Sequence, residues 1–255
     1  MVWGAGALGG RVARAWAAAG RPTLAVTATR AHHAALEAAG VTCVAASDSP
    51  RTPLDRDDRL LLTLPGTRAQ GEGVVMLASS DSSAPARVVL ASSTAYYGAS
   101  AGVLDEATPP GTGEDACAVA TVEQRFRDAV GARGVVIRLG GLYCEGRGPY
   151  AAFARRRTAP LGAPNKALAL IHYDDAARAI VRALELEHPA GAYLAVTPPC
   201  PTRYDFYAAA CARLAGAMPS FGPPLAHHPA TYDVTRLRRD LLPDPSHPDW
   251  RAALA

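Results

Sequence analysis

Apolar positions along the chain switch between helical spacing and short continuous runs. Met1, Val2 and Trp3 supply only a stub of strand. Leu8, Val12, Trp16 and Ala19 then recur at helical spacing. Gly20 stops that helix, Arg21-Pro22 turns the chain, and residues 23–27 read as a second strand. Residues 32–39 read as a short helix stopped by Gly40, and 41–45 as a third strand. A polar loop covers 50–58. Leu60-Leu61-Leu62-Thr63-Leu64 is the apolar run of a strand buried on both faces, ended by Pro65-Gly66. Residues 88–91 form a fifth strand, 122–130 lie in a helix, and 135–137 form a sixth strand. Asp174-Asp175 open an amphipathic helix bearing Ala177, Ile180, Val181 and Leu184, an acidic start that suits the helix dipole. Residues 192–196 give a seventh strand. Such alternation predicts an α/β fold with a mainly parallel sheet covered by helices.

After Val196 the texture changes. Prolines crowd in, from Pro198 and Pro199 to Pro245 and Pro248. One clear helix survives: Thr202-Arg203-Tyr204-Asp205 starts like a capping box, and Phe206, Ala210 and Leu214 share a face. The expected organisation is a core over 1–142, joined by the strand and helix near 170–196. Residues 143–169 and 197–255 form a small C-terminal substrate lobe over the carboxyl edge of the sheet, where ligands of open α/β sheets bind.

The first turn carries chemistry. Gly4, Gly6 and Gly9 give the Gly-x-Gly-x-x-Gly spacing between a strand and a helix, with a second strand following, as in a doubly wound Rossmann sheet. The first glycine allows the tight turn, the second lets backbone approach a pyrophosphate, and the third lets helix and sheet pack closely. The helix N-terminus then presents unpaired N–H groups to the phosphates. Ala7 and Leu8 at the helix start, Leu64-Pro65 at the end of the fourth strand and Ser92 after the fifth complete the expected cofactor wall. The alternative is a glycine-rich turn without a ligand.

The end of the second strand discriminates between dinucleotides. An NAD site usually has an acid there for the ribose hydroxyls. This chain has Thr27-Ala28-Thr29-Arg30. Arg30 offers a charged planar fork for a 2′-phosphate and Thr29 a hydroxyl, so NADP is expected over NAD. Asp48 stands where a carboxylate could accept from the adenine amine. Arg30 as a plain solvated helix start is the other reading.

Composition narrows the partners. The 255 residues carry a formal net charge of +3, too small to argue for nucleic acid. Arg155-Arg156-Arg157 is the one basic run, read as solvated surface or an anion contact. Five cysteines at irregular spacing fit reduced thiols in a cytoplasmic protein. No His-x-x-x-His or Cys-rich pair suggests a metal. No stretch is apolar enough to span a membrane. No signal peptide is expected, although the short first strand leaves a removed presequence open. The expected partner is a small-molecule substrate; a monomer and a homodimer both remain open.

Several further stretches carry a resemblance. They are "ASSTAYYG" (91–98), "LDEATPP" (104–110), "RLGGLYCEGR" (138–147), "LIHYDDAARAI" (170–180), Arg203-Tyr204-Asp205-Phe206-Tyr207 and "PDPSHPDW" (243–250). With the glycine turn, the ordered set resembles the extended short-chain dehydrogenase/reductase superfamily. It is most similar to the atypical bacterial branch called NAD(P)-dependent epimerase/dehydratase-like. The resemblance implies that Ser93 holds the substrate oxygen. It also implies a Tyr-x-x-x-Lys pair on the next helix, for proton transfer beside hydride transfer. That pair is missing: its positions fall near Cys117 and Thr121. The atypical branch shares this departure and is recognised by a helix ending like Glu123-Gln124. Fold and cofactor binding carry over; the standard acid/base mechanism does not. Tyr96, Tyr143 and His172 are the candidates for the missing proton handling, with Cys117 a weaker one and Tyr97 structural. Arg147 is a candidate anion clamp. The implied activity is that of an oxidoreductase or epimerase. Its rivals are a non-catalytic dinucleotide-binding sensor or assembly subunit, and a non-redox isomerase or cyclase using the same cleft.

Overall fold

Runs of Val, Leu and Ala build a seven-stranded sheet, because a strand covered on both faces needs apolar side chains on both. The computed structural model of the chain describes residues 1–48, 54–78, 85–156, 160–214 and 216–254. Part of the polar loop (50–53) and the end of the arginine triplet (157) lie outside them. In chain order, β1 (Val2–Trp3) leads through the glycine turn into α1 (Ala7–Ala18), then β2 (Leu24–Thr27), α2 (His33–Glu37) and β3 (Thr42–Ala45). Next come β4 (Arg59–Leu62), α3 (Gly66–Ala78), β5 (Arg87–Ser93), a short β6 (Val103–Leu104) and α4 (Glu114–Val130). The chain continues through β7 (Gly134–Leu139), β8 (Gly141–Tyr143), α5 (Pro149–Arg156), β9 (Leu170–His172), α6 (Tyr173–Glu185) and β10 (Ala192–Ala195). It ends with α7 (Arg203–Leu214), β11 (Thr231–Tyr232) and α8 (Thr235–Asp240).

The main sheet has the order β10-β7-β5-β4-β1-β2-β3, and every pairing in it is parallel. β1 is two residues long yet central: Val2 pairs with Ala25 on one side and Leu61 on the other. The strand order reverses direction beside β1, and the crevice of an open α/β sheet lies at such a switch point. This is the doubly wound α/β Rossmann architecture expected from the alternation.

Side chains alternate between the two faces of the sheet. Leu61, Val89, Val135 and Ile137 join one core with Val12 of α1 and Ile180 of α6. Leu60, Leu62, Val88, Leu90 and Val136 join another with Val74 of α3 and Phe126 of α4. A third, smaller cluster gathers Tyr143, Leu170, Phe206, Tyr207 and Trp250. The C-terminal segment is divided between these cores: Phe206 and Tyr207 pack in the small cluster, but Val234, Leu237, Leu241 and Leu242 pack in the first.

Element ends depart from the apolar pattern where they build the cleft. β4 stops at Leu62, so Thr63 and Leu64 leave the strand. β5 runs on to Ser93. α4 begins at Glu114, well before Val122; its first two turns bury only Ala116 and Val119 and so carry little apolar signal. α3 has no clear stripe: it holds Gly66, Gly71 and Gly73 and exposes Val75 and Met76. A Cβ at Gly73 would sit 2.6 Å from Leu64 Cδ1, so the end of that leucine side chain would have to shift.

Candidate functional site

The glycine turn is held by the strand beside it. Gly4 adopts φ +93°, and a Cβ on it would lie 2.7 Å from the Thr63 carbonyl oxygen. A Cβ on Gly9 would lie 2.5 Å from the Gly4 oxygen. Thr63 Oγ1 donates to that same oxygen at 2.5 Å and closes the turn. Gly6 differs: a Cβ there meets nothing within 4 Å. Gly6 also N-caps α1, with no side chain satisfying the first N–H groups. Open backbone and an uncapped helix N-terminus together suit a pyrophosphate.

This turn floors a cleft of about 530 Å³. Gly4 through Gly9, Thr29, Leu64-Pro65 and Ser92-Ser93 all line it. Arg30 and Asp48 do not. They form an exposed ion pair instead, Arg30 Nη2 to Asp48 Oδ2 at 2.6 Å. Hydrogen bonds from Ser47 and then from Arg30 hold the Asp48 carboxyl below the usual carboxylate range. His32, at the same rim, lines the cleft where Arg30 does not. The residues present fit a nicotinamide dinucleotide: an open phosphate cradle, no carboxylate at the end of β2, and a hydroxyl at Thr29.

Ser92 and Ser93 point to different tasks. The buried Ser92 hydroxyl donates to Glu123 Oε1 at 2.7 Å, behind the cleft. Ser93 Oγ accepts the Ala95 N–H at 3.1 Å and so caps the 3₁₀ turn of Thr94–Tyr97. Its own hydroxyl hydrogen is left to donate. Ser93 also lines a second cavity, of about 290 Å³, on the lobe side.

Behind the serines lies a buried ion pair. Arg138 is 2 % exposed and Glu123 0 %. Arg138 Nη2 reaches Glu123 Oε2 at 2.9 Å and Nε reaches Oε1 at 3.1 Å. Arg127 adds a third donor at 2.7 Å. Tyr96 lies beneath this guanidinium, with Arg138 Cζ 3.4 Å from its ring centroid. The Tyr97 hydroxyl accepts from Arg138 Nη1 at 3.1 Å and donates to the Asp105 carbonyl at 2.8 Å. Burial pushes that hydroxyl's pKa up to about 12. Tyr96 and Tyr97 are thus both buried beside the pair, and neither lines the cleft.

His172 and Tyr143 stand together on the other side. His172 Nδ1 accepts the Asp174 N–H at 3.2 Å and N-caps α6. Its ring stacks on His247 with centroids 3.5 Å apart and meets the Tyr143 ring edge-on at 5.3 Å. Burial and then His247 lower the His172 pKa. Burial raises that of Tyr143, whose hydroxyl has no hydrogen-bond partner among the described residues. Neither side chain lines the cleft. Asp174 brings a carboxylate to the two histidines, with possible ligand atoms within 4.8 Å of one another. Two of the three groups are engaged elsewhere, His172 Nδ1 by the Asp174 N–H and Asp174 Oδ1 by Arg11 at 2.8 Å, while the buried His247 Nδ1 has no hydrogen-bond partner among the described residues. The buried Asp175 accepts the N–H groups of Ser246 and His247 at 2.8 and 2.9 Å, which seats the "PDPSHPDW" segment. On α4, Cys117 is exposed and Thr121 Oγ1 bonds back to the Cys117 carbonyl. Neither carries a Tyr or Lys function. The described cysteines are all free.

No known family profile matches the sequence, and no curated protein matches it. Solved structures do match its fold. The human epimerase family protein SDR39U1, solved with NADPH, is 19 % identical with a TM-score of 0.74, covering 99 % of this chain and 97 % of that one. A putative NAD-dependent epimerase/dehydratase from Methylobacillus flagellatus is 21 % identical with a TM-score of 0.72, over 99 % and 94 %. UDP-glucuronic acid 4-epimerase from Bacillus cereus, solved with NAD, is 14 % identical with a TM-score of 0.73, over 99 % and 95 %. The chain therefore has the fold of the atypical and extended short-chain dehydrogenase/reductase proteins. No helix among the described residues is long and apolar enough to cross a membrane.

Proposed function

We propose that this protein is an NADP-dependent oxidoreductase or epimerase-like enzyme acting on a small polar molecule. The observation that carries the reading is the position of Ser93, in the wall shared by the glycine-floored cleft and the second cavity. A nicotinamide dinucleotide bound over the glycine turn would supply hydride transfer. The chain's own residues do the rest. The α1 N-terminus and open Gly6 bind phosphate. Ser93 donates its hydroxyl hydrogen to the substrate oxygen, held in register by the Ala95 N–H. Glu123 and Arg138 fix the turn on which Ser93 sits, and Tyr96 with Tyr97 packs that pair. Ser93→Ala is expected to lower kcat/KM by roughly 5–150-fold, from the 1–3 kcal/mol lost with one hydrogen bond, with NADP affinity unchanged in calorimetry. Equal loss of NADP binding would reassign Ser93 to the cofactor.

NADP is favoured over NAD by the lack of a carboxylate at the end of β2 and by the neighbouring Arg30. Its partner Asp48 is exposed, and an exposed pair contributes little, so Arg30 can turn to a 2′-phosphate at low cost. Arg30→Ala should remove most of a preference of about 1.5–3 kcal/mol, while Asp48→Asn should sharpen it. Equal NAD and NADP affinity in the unaltered protein would refute the assignment.

A non-catalytic dinucleotide sensor is the second reading. The exposed Cys117 and Thr121 at the Tyr and Lys positions favour it, as does the withdrawal of Tyr96, Tyr143 and His172 from the cleft wall. NADP binding without turnover across alcohols, ketones and nucleotide sugars would select it.

A further inference from the structure

The chain contains one lysine, Lys166, among 26 basic residues. It lines the second cavity together with Arg203 and Ser93. Lys166 Nζ donates to the Gly98 carbonyl at 2.9 Å. Arg203 Nη1 donates to the Ala163 carbonyl at 2.7 Å and crosses Gly162, where a Cβ would come within 2.8 Å of it. The two residues are also tied through the backbone, Arg203 N–H to Lys166 carbonyl, at 2.8 Å. Both side chains are half-buried.

Neither cation forms a carboxylate ion pair among the described residues. An ammonium has three donors and a guanidinium five. Neutral carbonyls accept one of each. Burial lowers the pKa of both groups, and the nearby Arg203 charge lowers that of Lys166 further, against an opposing pull from Asp115. Two like charges held together in a half-buried wall, with donors to spare, disfavour themselves unless an anion joins them.

We infer that Lys166 and Arg203 form an anion subsite in the second cavity, and that the substrate is a small hydroxy or oxo compound bearing one carboxylate or phosphate. The inference rests on the oxidoreductase reading for the reacting end, which sits at Ser93. The anionic end lies on Lys166 and Arg203. Ser93 and Gly98 bound one turn, so both ends of the substrate are positioned from the same loop. Size argues against a nucleotide sugar: the cavity is at the small limit of ligand sites, which run from about 300 to 1,000 Å³.

The single lysine makes the test direct. Reductive ¹³C-methylation keeps its charge and gives one ε-dimethyl resonance, assigned by its loss in Lys166→Arg. The labelled protein, with and without NADP, is titrated with inorganic phosphate, pyruvate and neutral acetamide, against sodium chloride at matched ionic strength. Phosphate or pyruvate should shift the resonance saturably, and the tighter of the two identifies the anionic group. Acetamide and chloride should not. Arg203→Gln should weaken the anion about tenfold, and Arg203→Lys should retain part of the affinity. Circular dichroism of each variant checks that it is folded. A resonance that follows only chloride, or anion binding unchanged in Arg203→Gln, overturns the subsite. NADP binding in the same samples separates the outcomes: NADP bound without the anion removes the subsite alone, and the anion bound without NADP removes the cofactor reading alone.

Discussion

Glu123→Ala is expected to destabilise the protein by about 3–5 kcal/mol, the usual cost of removing one partner of a buried pair. The carboxylate is fully buried and accepts from Arg138, Arg127 and Ser92. Its removal leaves the Arg138 guanidinium, itself 2 % exposed, with only Tyr97, the Glu106 carbonyl and the Tyr96 ring. None of these carries a negative charge. At roughly 2–4 °C per kcal/mol for a chain of this size, thermal unfolding should fall by about 6–20 °C. Removing both charges, in Glu123→Met with Arg138→Met, should recover much of the loss, because desolvation of the pair offsets most of its attraction. A double-mutant cycle followed by circular dichroism checks this. A shift of only a degree or two in Glu123→Ala would mean that water reaches the pair.

Gly6→Val should abolish measurable NADP binding while leaving the melting temperature nearly unchanged. A Cβ at Gly6 meets no protein atom within 4 Å, so the branched side chain can only project into the cleft. There it would occupy the space left for a pyrophosphate and screen the uncapped N–H groups of α1. Gly9→Ala makes the opposite case. Its Cβ would press on the Gly4 oxygen at 2.5 Å and on Thr63 Oγ1 at 2.6 Å. Overpacking of that kind costs about 1–3 kcal/mol, so the protein should lose stability and affinity together. The pair of variants separates a ligand-binding turn from a merely structural one. Unimpaired NADP binding by Gly6→Val would remove the cleft from consideration.

The sheet was legible because its signal is local and repeated. Leu60-Leu61-Leu62, Val88-Val89-Leu90 and Val135-Val136-Ile137 are each apolar on both faces, and a parallel sheet follows from three such runs separated by helices. The glycine turn was legible for a related reason: Gly4 and Gly9 stand where backbone oxygens leave no space for a Cβ. The buried pair was visible only as letters. Glu123 sits in a helix and Arg138 in a strand, fifteen residues apart, and nothing local says that they meet. Lys166 and Arg203 escaped for the same reason, since a long-range meeting of loop and helix makes their cavity. Its rarity was the available signal: one lysine against many arginines. Arg30 shows the reverse limit. Its neighbours in sequence point to a phosphate, but the fold offers it Asp48 first.

The parallel order of the sheet has a consequence for how the chain is made. β10 forms one edge, beside β7, and is covered in part by α8. Both come from the last quarter of the sequence. A growing chain that has not yet delivered Ala192–Ala195 leaves the Gly134–Leu139 strand without a neighbour on that side. Valine and isoleucine there would then present an open, apolar edge, the kind of surface that recruits other strands. Leu237, Leu241 and Leu242, buried against the same core, arrive later still. Synthesis from the N-terminus therefore finishes the dinucleotide cradle early and the sheet late. The nascent protein therefore leaves the β7 edge unpaired until Ala192–Ala195 have been made.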